Sequence, residues 1–200
     1  METLPREIIQ EILSLIPLED QPDSRLTCRL FAEMVPPTPK YQRYLGLVTD
    51  DPKLVASAVA RSSIIRNGVC PLAAKYGCLG VLEWARANDL PWCTWTCSNA
   101  AKYGHLKILK WARANGCRWN TWTCSNAAMH NHLEVLRWAR DSGCPWNKWA
   151  SFYASQNGHL EVLKWIEAQG GPRDFWACVG VALWHGRFRI LAWLFLGISF

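Results

Sequence analysis

Two stretches decide the fold. The first is Trp95-Thr96-Cys97-Ser98-Asn99-Ala100-Ala101-Lys102-Tyr103-Gly104-His105-Leu106-Lys107-Ile108-Leu109-Lys110-Trp111. The second, Trp122-Thr123-Cys124-Ser125-Asn126-Ala127-Ala128, repeats its opening one residue at a time. The offset is 27 residues, and it extends in both directions. Trp84, Trp111, Trp138 and Trp165 keep it, as do Gly77, Gly104, Asn131 and Gly158, and Trp95, Trp122, Trp149 and Trp176. A last copy runs from Trp176 through Gly186 to Trp193 with one extra residue near Gly180. A faded copy around Leu54-Val55-Ala56 precedes the set. Self-similarity at a fixed period of this length marks a repeat architecture of about five units.

Within one unit the pattern is helical. Thr96 is an N-cap candidate for a short first helix through Ala100 and Ala101. Gly104 supplies the positive φ that ends it. A second helix starts near His105, and Leu106, Ile108, Leu109, Trp111 and Ala112 fall at helical spacings on one stripe. Asn115-Gly116 stops it. A lone helix pair cannot bury that stripe, but a stack of pairs can. The expected fold is therefore all-α, an α-solenoid of stacked helix-turn-helix units.

The run from Thr96 to Trp111 resembles an ankyrin repeat, whose T-P-L-H-x-A signature is followed by G-H-L and a second helix. Cys97, Cys124 and Cys178 stand where that signature has Pro, and Asn99 and Asn126 stand near its His. The resemblance covers roughly residues 66–200. Units of 27 residues are shorter than the 33 of the standard repeat, and the missing residues fall between Gly116 and Thr123. The β-turn fingers of ankyrins are therefore expected to be short or absent. The short Trp- and Cys-rich version is similar to ankyrin families abundant in giant DNA viruses of amoebae, which implies a viral origin and action in a host cell.

Charge divides the chain. Residues 1–40 hold seven acids against four bases, a net of −3, and the other 160 hold 18 bases against nine acids, a net of +9. Pro36-Pro37-Thr38-Pro39 lies at the break and disfavours helix. The expected division is residues 1–40, a connector or degenerate repeat at 41–65, and repeats at 66–200. Leu4-Pro5-Arg6-Glu7-Ile8 opens a helix well, with Pro early and Glu at the positive end. Ile8, Ile12, Leu13, Leu15 and Ile16 give it an apolar face. With Asp20 and Cys28-Arg29-Leu30-Phe31 in ungapped register, the segment resembles an F-box. That resemblance implies docking on the Skp-type linker protein of a cullin–RING ubiquitin ligase through Leu4, Pro5, Ile8, Ile12, Leu13, Leu15, Ile16, Cys28 and Phe31. The repeats would then hold a protein substrate near the ubiquitin-charged enzyme, a gain in effective concentration without bond chemistry by the adaptor itself. The other reading is an interaction scaffold whose first helices only cap the solenoid, since terminal repeats need a covering element.

Composition bounds the remaining possibilities. Apolar types make up 50% of the 200 residues and charged types 19%, which fits a packed chain and not a disordered one. The most apolar stretch, residues 188–200, is too short to span a membrane and carries Arg189. The N-terminus lacks a signal-peptide pattern, so the nine Cys are expected as reduced thiols in the cytoplasm or nucleus. They recur at repeat positions, Cys70, Cys97, Cys124 and Cys178 at one and Cys117 and Cys144 at another, which suits small core residues better than a zinc site. No metal, cofactor or catalytic residue is expected, because no acid or oxyanion loop accompanies the Cys–His pairs. His105 and His159 are placed to bond the backbone of the next unit. Trp84, Trp111, Trp138 and Trp165 are read as core. Partner-binding candidates are Arg118, Trp119, Trp122, Trp146, Lys148 and Trp149, aromatic residues beside cations around the inter-unit loop; the alternative is that these Trp cover core exposed there. The basic repeats suit an acidic protein partner. Nucleic acid is disfavoured, because the Lys and Arg residues spread over several faces.

Overall fold

A computed structural model describes residues 50–53, 55–56 and 68–197. The chain forms two compact units, Met1–Pro91 and Trp92–Phe200. All described secondary structure is helical, in ten helices that follow one another as five short pairs. The boundaries expected at residues 40 and 65 lie outside the described residues, as do the F-box-like positions Leu4, Pro5, Ile8, Ile12, Leu13, Leu15, Ile16, Cys28 and Phe31.

The first unit holds the pair α1 (Val69–Tyr76) and α2 (Leu79–Ala87). Here the start of the second helix is held by Asp50, whose carboxylate accepts from the amides of Gly80 and Val81 at 3.0 and 2.8 Å. A carboxylate at a helix N-terminus satisfies free amides and complements the helix dipole.

The second unit holds α3 (Thr94–Lys102), α4 (Leu106–Ala114), α5 (Thr121–Met129), α6 (Leu133–Asp141), α7 (Lys148–Asn157), α8 (Leu160–Ala168), α9 (Phe175–Trp184) and α10 (Phe188–Leu196). The first helices α3, α5, α7 and α9 lie side by side, and each packs on its own second helix. Small residues make that approach possible: Cys97, Ala100, Ala101, Cys124, Ala127 and Ala128 are fully buried. The second helices contribute Ile108, Leu109, Ala112 and their counterparts Val135, Leu136, Ala139 and Val162, Leu163, Ile166. Leu106 and Trp111, expected on the same stripe, are half-buried.

The caps correct one expectation. Thr96 is not the N-cap of α3; Cys93 is, and Thr96 is buried within the helix. Its counterparts show what the cap position requires. Asn120 and Asn147, 27 residues apart, accept from the amides of Trp122 and Trp149 at 3.1 and 3.2 Å, and Asp174 accepts from Ala177 at 3.2 Å. Short polar acceptors of this kind satisfy the free amides of a first turn. The turn to the second helix needs a left-handed residue, met by Gly104 at φ +76° and by Asn131 at φ +62°. Asn is among the few residues other than Gly that tolerate this region.

Within the second unit, successive pairs are joined by hydrogen bonds from the N-cap residues of α6, α8 and α10. The Nε2 atom of His132 lies 3.0 Å from the carbonyl of Lys102, and that of His159 lies 2.9 Å from the carbonyl of Met129. Arg187 takes the same role, its Nε donating to Gln156 at 3.0 Å. The histidines therefore reach back to the preceding pair, where the sequence suggested the next one. The direction follows from chain geometry: the N-cap of a second helix lies beside the last turn of the first helix one pair earlier. Among the described residues no strand or finger is built between pairs. The connection after α4 runs through Asn115–Asn120 without a strand.

Candidate interaction surface

Eleven of the thirteen tryptophans separate into three sets with different surroundings. Trp84, Trp111, Trp138 and Trp165 sit on the second helices and are half-buried, not core in the full sense. Three of them receive the edge of a loop tryptophan: Trp92 on Trp111 at 6.1 Å, Trp119 on Trp138 at 5.9 Å and Trp146 on Trp165 at 6.0 Å between ring centres. These edge-to-face contacts are worth about 0.5–1.5 kcal/mol each beyond simple burial.

The loop tryptophans have a second partner. The guanidinium of Arg113 lies 4.0 Å from the ring centre of Trp119, and that of Arg140 lies 4.2 Å from Trp146. Each guanidinium also donates to the carbonyl at the loop start, Arg113 to Cys117 and Arg140 to Cys144. Trp119 and Trp146 are thus held between an arginine and another tryptophan. The next copy of the motif inverts it. Glu167 stands where Arg113 and Arg140 stood, Arg173 stands where Trp119 and Trp146 stood, and the two form an ion pair at 2.9 Å. Both partners change together, as a structural latch between helix end and loop requires. Of the two readings left open for these tryptophans, their packing supports the structural one.

The third set faces solvent. Trp95, Trp122, Trp149 and Trp176 are exposed by 58%, 41%, 41% and 74%. Each is the second residue of its first helix, so the row is a direct product of the 27-residue period. Tyr153 ties two of them together, stacked on Trp149 at 5.7 Å and tilted against Trp122 at 6.2 Å, with Phe152 edge-on to Trp149 at 5.2 Å. The sequence reading named Trp122 and Trp149 but left out Trp95, Trp176 and Tyr153. The shared register was the signal for the first two. Tyr153 could not be found that way, because Asn99 and Asn126 occupy its position in the preceding units.

The two candidate cations differ. Arg118 is exposed on the loop beside Trp119. Lys148 is paired with Asp174 at 3.6 Å, an exposed contact that contributes little to stability. Among the described residues no group of three or more His, Cys, Asp or Glu side chains could hold a metal ion. No described helix is long and apolar enough to cross a membrane.

Paired helices that repeat, small residues between first helices and an outward row of aromatic side chains define a helical repeat protein of the binding type. Residues 124–167, from α5 through α8, match the family model described as ankyrin repeats in many copies. None of the curated proteins compared with the chain matches it. The matched stretch is similar to ankyrin repeats, a family of protein–protein interaction modules that are in general non-enzymatic.

Proposed function

We propose that the chain is an adaptor: its repeats capture a protein partner, and its N-terminal segment brings that partner to a Skp–cullin–F-box ubiquitin ligase. The observation that carries the capture half is the exposed row Trp95, Trp122, Trp149 and Trp176, set at one repeat position and facing solvent, where the loop tryptophans Trp92, Trp119 and Trp146 pack against the second helices. Large, stiff aromatic side chains offer contact area at low entropic cost and dominate binding energetics when a partner covers them. The net +9 of residues 41–200 favours an acidic, partly apolar segment of a host protein. The ligase half rests on the F-box-like register Leu4-Pro5, Ile8, Ile12, Leu13, Leu15, Ile16, Cys28 and Phe31. A second reading, an ankyrin scaffold without a ligase role, is favoured by the fact that the family match lies wholly within the repeats.

The test uses the whole chain. Trp122→Ala with Trp149→Ala should remove host proteins that the parent enriches from lysate, while circular dichroism stays unchanged and a purified Skp protein still binds. Equal enrichment by a folded double variant would move the site off this row.

A further inference from the structure

Tyr153 is seated among the exposed tryptophans, and it shows what their row can hold. It stands four residues after Trp149. Its ring lies between Trp149 and the tryptophan of the preceding pair, 5.7 Å and 26° from the one and 6.2 Å and 31° from the other. Near-parallel rings at such separations form an offset stack. The same place recurs in the preceding pair, because Trp122 and the fourth residue after it keep the 27-residue period.

In that pair the fourth residue is Asn126. Its amide also crosses to the preceding first helix, where it donates to the carbonyl of Ser98 at 3.4 Å. This side chain is short and buried, so it leaves between Trp95 and Trp122 the room that the Tyr153 ring takes between Trp122 and Trp149. Exposure follows the ring. The two tryptophans against Tyr153 are each exposed by 41%, whereas Trp95, with no ring against it among the described residues, is exposed by 58%.

Charge distinguishes the two places as well. Between Asp89 and Glu134 the chain carries five bases, Lys102, Lys107, Lys110, Arg113 and Arg118, and no acid, a net of +5. From Glu134 through Asp174 five bases meet five acids, a net of zero. The positive field therefore lies over the pairs whose place is open, and it favours a partner segment of opposite sign.

We propose that the slot between Trp95 and Trp122 receives a Phe or Tyr side chain of an acidic segment, which stacks there as Tyr153 stacks one pair later. The inference rests on the capture reading given above and assigns its specificity. An aliphatic side chain could be covered by the same walls but would forgo the stacking of ring on ring. Asp and Glu residues on either side of the inserted ring would lie in the field of the five cations.

The experiment selects a phage-displayed library of random peptides on the full chain, then titrates the synthetic consensus peptide by fluorescence anisotropy. The expected consensus is one Phe or Tyr flanked by Asp and Glu. Asn126→Tyr should fill the slot from within and weaken that peptide about tenfold or more, whereas Asn126→Ser, which leaves the slot empty, should bind it as the parent does. Trp95→Ala removes one wall and should weaken the peptide to the same extent. Circular dichroism and melting temperature control for folding, and if Asn126→Tyr unfolds, Trp95→Ala decides. A consensus without an aromatic residue, or undiminished binding by folded Asn126→Tyr and Trp95→Ala, would overturn the slot. The capture reading would survive that result if Trp122→Ala with Trp149→Ala still abolished binding. A library that yields no binder would count against both.

Discussion

One residue type, tryptophan, serves three ends here, and the surroundings of each ring decide which. Trp119 is gripped by Arg113 and Trp138, so Trp119→Ala should remove a cation–π contact, an edge contact and a half-buried surface together. The loss should be about 2–4 kcal/mol, near the lower end of large aromatic deletions, and urea unfolding measures it. Trp122→Ala should cost well under 1 kcal/mol in the same measurement, because most of its loss would be felt only by a partner. Comparable losses for the two variants would show that the separation into packed and exposed rings is wrong. Histidine gives a second test at this scale. Partial burial is the main cause that holds His159 below its ordinary 6.5, with the charges of Arg187 and His132 acting in the same direction and its bond to Met129 opposing. Partial burial does the same to His130, helped by Lys102, His132 and His159. Both rings therefore take up a proton less readily in the fold than in the unfolded chain, where the ordinary value is near 6.5. Stability from this source is complete above that pH and is lost as pH falls through the lower folded values. Melting temperature should drop between about pH 7.5 and pH 5, and His159→Gln should flatten that slope. An unchanged slope in His159→Gln would remove this histidine from the account.

At the scale of the element, the turn between first and second helices is the most constrained point. Gly104 sits at φ +76°, and a Cβ there would come within 2.7 Å of the ring of His132, which is itself bonded to Lys102. Gly104→Ala should therefore cost about 1–2 kcal/mol from the left-handed backbone alone, and further energy from moving the histidine. Asn131→Gly, at the equivalent position, should be neutral or slightly stabilising. Denaturant midpoints of the two variants check both signs, and a neutral Gly104→Ala would contradict this account of the turn. The sequence made this element legible because Gly and Asn recur at one spacing for one conformational reason. It did not reveal which residue caps the first helices. Thr96 looked suitable by type, but the cap falls three residues earlier at Cys93, where Asn120, Asn147 and Asp174 show the polar rule and Cys93 breaks it. Helix pairs and their core stripe could be read from periodicity, since burial repeats with the helix. Which tryptophan of a unit would be covered could not, because that depends on the loop that Arg113 and Arg140 pin down.

At the scale of the whole molecule, the chain divides its charge, with −3 in residues 1–40 and +9 in the rest, and the two parts are assigned separate tasks. The array itself is quasi-one-dimensional: each described pair in the second unit contacts its neighbours, so its stability is a sum of local terms that a distant surface change leaves alone. That property makes the adaptor reading testable. Ile8→Asp with Ile12→Asp puts two carboxylates on the apolar stripe of the F-box-like segment. If that stripe docks on a Skp protein, burying them costs well over 2 kcal/mol, and affinity should fall by roughly thirtyfold or more. The repeats should still melt at the parent temperature and still enrich the same partners, because no term within the array has changed. If the stripe instead covers an end of the solenoid, the same substitutions uncover apolar surface and the melting temperature of the array should fall. Co-purification with a purified Skp protein and a melting curve, run on the same double variant, separate the two arrangements. Undiminished Skp binding would move the docking surface off this stripe, and a lowered melting point without any Skp binding by the parent chain would remove the ligase role and leave the interaction-scaffold reading.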